Sequence, residues 1–355
     1  MGLHPLIELS DDREVRQAKG FRAAAAELTG AKLEADYKAE VANAPRRHAD
    51  GKKHLAQKNV RIPTGPQKGK DDRHLSLAAA AFVASGGASP EMPSGDELTI
   101  LDSAVPLRTA APDKDKGDAD PNKGVDDIDL LGLLPDGRPA VVCVRYLAPD
   151  ATRGGAGDTP LRALLRGLAL AAMVDGNAEA FREEIEEKTG RKTGEEAPAL
   201  ILAGAPRYWE LCRKREAQKG AAWIREMERL GREISELIGV EVFFVAWDLE
   251  GNPPWSYGED GPVLNEPFGF KAAWESGAGK LKPKPKAKKS SPTVEIIEAD
   301  PSRPARPYSM RESYEPGDTI EHPTLGTGVV QGVTGRGKIA VRFEEETKPL
   351  IHERA

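Results

Sequence analysis

Residues 125–147 read VDDIDLLGLLPDGRPAVVCVRYL, and the reading of this stretch decides the fold. Two apolar runs flank a Pro-Asp-Gly turn. Asp136-Gly137 between such runs is a hairpin signal, because Gly supplies the positive φ that a tight turn needs. One acid, Asp129, interrupts the first arm between Ile128 and Leu130. In the second arm Cys143 and Arg145 alternate with Val142 and Val144, so both leave one face of the strand.

This layout resembles the core of the PD-(D/E)XK nuclease superfamily. There an Asp on one strand and a Glu-x-Lys pair on the next hold a divalent metal and polarise the attacking water. The Asp position is matched by Asp129, which makes it the candidate metal ligand. Cys143 stands at the Glu position and Arg145 at the Lys position. Cys is a soft ligand with little affinity for Mg²⁺, and Arg stays protonated, so it cannot accept a proton from water. Asp126 and Asp127 before the strand, and Glu97 or Asp102 on the preceding one, are the acids that could compensate. The resemblance therefore implies the nuclease fold with a degenerate site at Asp129, Cys143 and Arg145. Mg²⁺ or Mn²⁺ enters only under an active-nuclease reading, and no other cofactor is expected.

Upstream, residues 10–44 read as one interrupted helix or two short ones, opened by Ser10 and two Asp. Residues 45–73 are basic and Pro/Gly-containing, a connector or a phosphate-contacting arm. His48, His54 and His74 have no fixed spacing and no Cys partners, so they do not read as a metal site. A helix is expected over residues 74–85, a strand over 95–107 and a flexible loop over 108–124.

Downstream, Asp158, Thr159 and Pro160 open a helix on which Leu161, Leu164, Leu165 and Leu168 recur at helical spacing. Arg162 and Arg166 are neighbours on it, and with Arg145 they are the candidate nucleic-acid contacts. A charged helix (179–190), a buried strand (199–204), an amphipathic helix (218–237) and a strand (240–249) follow. Residues 251–274 have no periodicity and read as an extension. Trp247 and Trp255 read as packing. The order strand, strand, strand, helix, strand, helix, strand predicts a mixed β-sheet flanked by helices, which is the order of the nuclease superfamily.

Residues 280–289 read KLKPKPKAKK, a Lys/Pro linker. From Tyr314 onward, β-rich runs punctuated by Gly predict a small, bent barrel, with strands near 319–321, 328–333, 338–343 and 348–352. The pattern Gly317-Asp318…His322…Gly326-x-Gly328-x-Val330 resembles the Tudor/SH3-like barrels at the C-terminus of UvrD/PcrA-type helicases and in CarD-like transcription regulators. In those families the module docks on RNA polymerase. The resemblance assigns partner binding to the His322, Leu325, Gly326 and Gly328 region, with Leu325 standing where an aromatic residue is more usual.

The chain of 355 residues, 39% hydrophobic and 30% charged, is long enough for the four segments this implies. They are a helical extension with its basic connector (1–73), a nuclease-like α/β domain (74–275), a disordered Lys/Pro-rich linker (276–313) and the barrel (314–355). A net charge of −6 gives no global reason to bind nucleic acid. Cys143 and Cys212 are too few for a disulfide framework, and no apolar run approaches the ~18 residues of a membrane span, so a cytoplasmic protein is expected. Cys143, inside an apolar strand and far from any His, reads as core rather than nucleophile. The function these residues favour is a non-catalytic nuclease-like protein, possessing a DNA-binding surface and recruited by its barrel to RNA polymerase or a repair complex. The competing readings are a metal-dependent endonuclease with a rearranged site and a protein–protein scaffold.

Overall fold

The computed structural model describes residues 2–55, 62–155, 157–215, 222–274, 296–335, 337–344 and 346–353. The chain divides into two compact units, Met1–Pro283 and Lys284–Ala355. No helix among the described residues is long and apolar enough to cross a membrane.

The first unit opens with α1 (Pro5–Asp11), α2 (Arg13–Arg16), α3 (Phe21–Glu27) and α4 (Gly30–Asn43), four helices where the sequence suggests one or two. Glu40 on α4 anchors the group. Its buried carboxylate accepts the Leu6 and Ile7 N–H groups at the start of α1 and lies 2.6 Å from His4 Nδ1. Helix α5 spans Asp71–Ala84. It begins three residues before the expected His74, because the acids of its first turn suit the positive end of a helix.

The sheet strands β1 (Thr99–Val105), β2 (Ile128–Leu133) and β3 (Pro139–Arg145) follow as an antiparallel meander. Gly137, at φ +89°, makes the β2–β3 turn as the Asp-Gly signal predicts. Next come α6 (Pro160–Gly176), α7 (Ala178–Thr189), β4 (Ala199–Gly204), α8 (Pro206–Arg215), α9 (Ala222–Ile238) and β5 (Val242–Asp248). Thr159 caps α6 by accepting the Arg162 N–H at 3.2 Å. The expected extension instead forms the hairpin β6 (Trp255–Gly258) and β7 (Gly261–Leu264), then β8 (Gly269–Ala272) on the sheet edge. Runs of four residues are too short to show a period.

The sheet order is β1-β2-β3-β4-β5-β8, with β3, β4 and β5 parallel and the other pairs antiparallel. The expected mixed sheet flanked by helices is present. Its strands bury both faces: Val141, Cys143, Leu200 and Leu202 join Leu164 and Leu168 of α6, while Ala140, Val142, Val144 and Ile201 join Leu75 and Ala78 of α5. Two covered faces explain why these strands read as near-continuous apolar runs.

The second unit contains β9 (Arg306–Pro307), β10 (Thr319–His322), β11 (Gly326–Gly335), β12 (Lys338–Arg342) and β13 (Thr347–Ile351). The four long strands fall where the Gly punctuation places them. Where a small, bent barrel is expected, a five-stranded β unit is present in the order β13-β12-β11-β10-β9, with no backbone pairing between β13 and β9 among the described residues. Its edges are bridged by a side chain instead: Tyr308, whose N–H bonds Glu321 O, donates its hydroxyl to Ile351 O at 2.6 Å. The ordered unit also begins before Tyr314. Ile297 exchanges two hydrogen bonds with the Gln331 amide, and β9 pairs with β10. Residues 275–295, including the Lys/Pro tract, lie outside the described residues. The core is Tyr314, Ile320, Val330, Ile339, Val341 and Phe343.

Candidate functional site

Asp129, Cys143 and Arg145 converge where β2 begins and β3 ends, and all three line a cavity of about 440 Å³. Asp129 Oδ2 accepts the Val144 N–H at 2.9 Å and lies 3.6 Å from Arg145 Nη1. Arg145 Nε lies 3.3 Å from Asp158 Oδ1, and its Nη1 donates to Val144 O at 2.6 Å. From the other face of the sheet, Asp72 of α5 accepts the Tyr146 N–H at 2.6 Å. One guanidinium thus serves a cluster of three carboxylates.

The electrostatics follow from that count. Burial drives the Asp72 carboxyl up to about 7; Arg145 and the Tyr146 N–H resist, while Asp129 and Asp158 add to the rise. Burial likewise raises Asp129 against the pull of Arg145. Burial disfavours the charged form of Arg145, but the acids, Asp158 first, more than compensate and raise its pKa. The Cys143 thiol is pushed up to about 12 by burial and by Asp129. Its sulfur faces α6 where Gly167 stands; a Cβ there would lie 2.9 Å from Cys143 Sγ. Opposite Asp129, between the pairs Ser103–Leu130 and Val105–Ile128, Ala104 adopts φ +49°, a conformation that strains an L-residue.

These residues fit a divalent metal poorly. Asp129 is the one hard ligand of the expected trio, and its oxygen is already engaged by Val144 and Arg145. Cys143 is a protonated, soft donor. No group of three or more His, Cys, Asp or Glu that could hold a metal occurs among the described residues.

The helix arginines are engaged internally. Arg162 and Arg166 each reach one oxygen of Asp11 at 2.9 Å, and Arg166 also bonds Asp126, Ser10 and the Gly124 carbonyl. Of the two, Arg166 alone lines the cavity. Among the compensating acids, Asp126 and Asp127 line it, whereas Asp102 is buried elsewhere and pairs with Lys188 at 3.2 Å. Glu97 is not among the lining residues. The connector is similarly committed: Arg47 and Lys52 bond the carbonyls of Arg108 and Thr109, and Lys53 pairs with Glu187. His48 meets Glu184, His54 stacks on Phe181 and His74 bonds Tyr257. Trp247 is core, its Nε1 donating to Ala203 O.

Three site residues were not foreseen. Asp72 is hidden in the connector by a late helix start, although the pair Asp71-Asp72 is a first-turn signal. Asp158 reads as a cap and nothing more. Tyr208 of α8, buried near Asp158 and Arg145, has a hydroxyl without a hydrogen-bond partner among the described residues, and nothing in its local sequence marks it.

In the second unit, Gly326 takes φ +76° at the head of β11. A Cβ at Gly328 would lie 2.7 Å from Phe343 and Val341 side-chain atoms. His322 Nδ1 accepts from the Thr324 N–H, and its ring lies 5.1 Å from that of Tyr308. Leu325 packs partly on the core. Nearby, Asp318 accepts from Arg303, Arg306 and the Glu315 N–H.

The fold and site define a class rather than an identity: a mixed α/β unit with a guanidinium-centred acid cluster, followed by a small open β unit. Comparison with known proteins finds no family model, no curated protein and no solved structure that matches the chain.

Proposed function

We propose that the first unit is a PD-(D/E)XK-like fold that has exchanged metal-dependent catalysis for binding. In this reading the second unit is a Tudor/SH3-like module that recruits the chain to nucleic-acid machinery, RNA polymerase or a repair complex. Support comes from the element order β1-β2-β3-α6-α7-β4-α8-α9-β5, three strands followed by two helical connections to parallel strands, and from the register of Asp129, Cys143 and Arg145. The observation that carries the reading is Arg145 between Asp129 and Asp158, at 3.6 and 3.3 Å. A fixed guanidinium there supplies the positive charge that a divalent cation would otherwise supply.

A second reading, a metal-dependent endonuclease, draws on the three carboxylates around Arg145, since Asp72 and Asp158 add hard oxygens beyond the expected trio. Calorimetric titration with Mn²⁺ separates the two. The wild-type protein should bind Mn²⁺ negligibly and cleave no DNA, while Cys143→Glu with Arg145→Lys should raise Mn²⁺ affinity by adding a hard ligand and removing the fork. Tight wild-type binding with metal-dependent cleavage would reject the binding reading. For the second unit, a crosslinked pull-down with the full chain should recover polymerase or repair subunits, and Asp318→Ala should lose them.

A further inference from the structure

The cavity at the end of β3 has a charge imbalance on its rim. Its lining includes Lys70, Arg73, Arg108, Arg145 and Arg166, against Asp72, Asp126, Asp127 and Asp129. The acids are largely spoken for. Asp126 bonds Arg166, Asp129 shares Arg145 with Asp158, and Asp127 lies 4.0 Å from Arg108. Asp72 turns its carboxylate inward to the Tyr146 N–H. Lys70 and Arg73 remain, and among the described residues neither has a carboxylate within ion-pairing distance.

Lys70 is the residue that precedes α5, and Arg73 and Ser76 are three apart on its first turns, so the entry of the helix brings all three to the cavity lining. Lys70 is exposed and Arg73 half-buried. The volume falls within the range of small-ligand sites, ~300–1,000 Å³. An arginine fork beside an ammonium suits a phosphodiester, because the fork can address its two non-bridging oxygens while the ammonium adds a second positive charge against the same group.

We propose that this cavity holds one phosphodiester group of a nucleic-acid backbone on Lys70 and Arg73, with Arg108 as a third cation on the lining. The inference rests on the nucleic-acid reading above and narrows its contact. The sequence offers both the 45–73 connector and Arg162 with Arg166; Asp11 and Asp126 already answer the two arginines, which leaves Lys70 at the end of the connector and Arg73 on the first turn of α5.

The test uses the full chain and two probes, a fluorescent duplex oligonucleotide followed by anisotropy and inorganic phosphate followed by calorimetry. Lys70→Ala with Arg73→Ala should weaken oligonucleotide binding at least about tenfold and lower the salt slope by about two, roughly one per lost cation. Arg73→Lys, which keeps the charge but loses the fork, should keep the wild-type salt slope and recover only part of the affinity, and Arg162→Ala should change it little. Thermal melting of each variant verifies the fold. Oligonucleotide binding that the double variant leaves intact would overturn this site while leaving the nucleic-acid reading standing. Phosphate binding lost in the double variant, with no oligonucleotide binding by the wild type, would sustain the anion site and overturn the nucleic-acid reading. Absence of binding to either probe would overturn both.

Discussion

The two units hold inverse charge arrangements. In the first, one guanidinium, Arg145, lies among Asp72, Asp129 and Asp158. In the second, one carboxylate, Asp318, lies between Arg303 and Arg306 at 3.0 and 2.7 Å and also accepts the Glu315 N–H. The second arrangement is closed: burial disfavours the Asp318 charge, but its three donors outweigh burial and hold its pKa low. The first is open, since burial wins at Asp72 and its carboxyl titrates near neutrality. A buried acid surrounded by donors acts as a clasp. A half-buried cation surrounded by acids leaves unspent capacity, and that cluster faces a cavity.

The comparison breaks most violently in the second unit. Gly328→Val puts a branched side chain where a single Cβ already meets Phe343 and Val341 at 2.7 Å, and the six-residue core has no slack to absorb it. Hydrogen exchange should show the amides of β10–β13 losing protection while those of β2–β5 keep theirs. Retained protection in β10–β13 would mean the core repacks.

Removing the central cation is next in size. Arg145→Met leaves Asp129 and Asp158 facing each other without their counter-charge, which costs on the order of 3 kcal/mol at pH 8. The loss should shrink toward pH 4 as the acids take up protons. A deficit independent of pH in urea titrations would assign Arg145 a packing role.

Asp72→Asn sharpens the contrast through the sign of its pH dependence. With a folded pKa near 7 against an ordinary 3.8, Asp72 favours folding fully below about pH 4 and loses that contribution as pH rises through 7. Asn keeps the acceptor for Tyr146 N–H without the charge. Melting temperatures of variant and wild type should therefore converge near pH 4, and the variant should be the more stable at pH 8. Asp318, with its lowered pKa, behaves oppositely: its contribution holds above pH 4 and disappears on acidification. The smallest effect is expected from Ala104→Gly, which relieves the left-handed backbone opposite Asp129 and should shift stability upward by less than about 1 kcal/mol; a clear destabilisation would count against strain there.

The fold was legible in the sequence wherever one local rule spoke alone. Asp136-Gly137 set the hairpin, Thr159-Pro160 opened α6, and the Gly spacing after Gly317 marked β10 to β12. The site was legible in part. Alternation along β3 placed Cys143 beside Arg145, and the arm before it supplied Asp129. What escaped was whatever depended on a distant partner. Arg162 and Arg166 read as nucleic-acid contacts, and their partner is invisible to that reading because α1 brings Asp11 to them from about 150 residues away. Asp72 joins the site because α5 crosses the opposite face of the sheet, which no window of sequence contains.

One small feature of the second unit has a colloidal consequence. An open sheet ends in backbone groups that a neighbouring chain can pair with, the first step of strand-by-strand association. Here the Tyr308 hydroxyl occupies the Ile351 carbonyl, and Pro349, in the middle of β13, has no N–H for an incoming strand to use. Two rungs of that ladder are unavailable before any other molecule arrives, so β13 ends the sheet instead of inviting the next copy onto it.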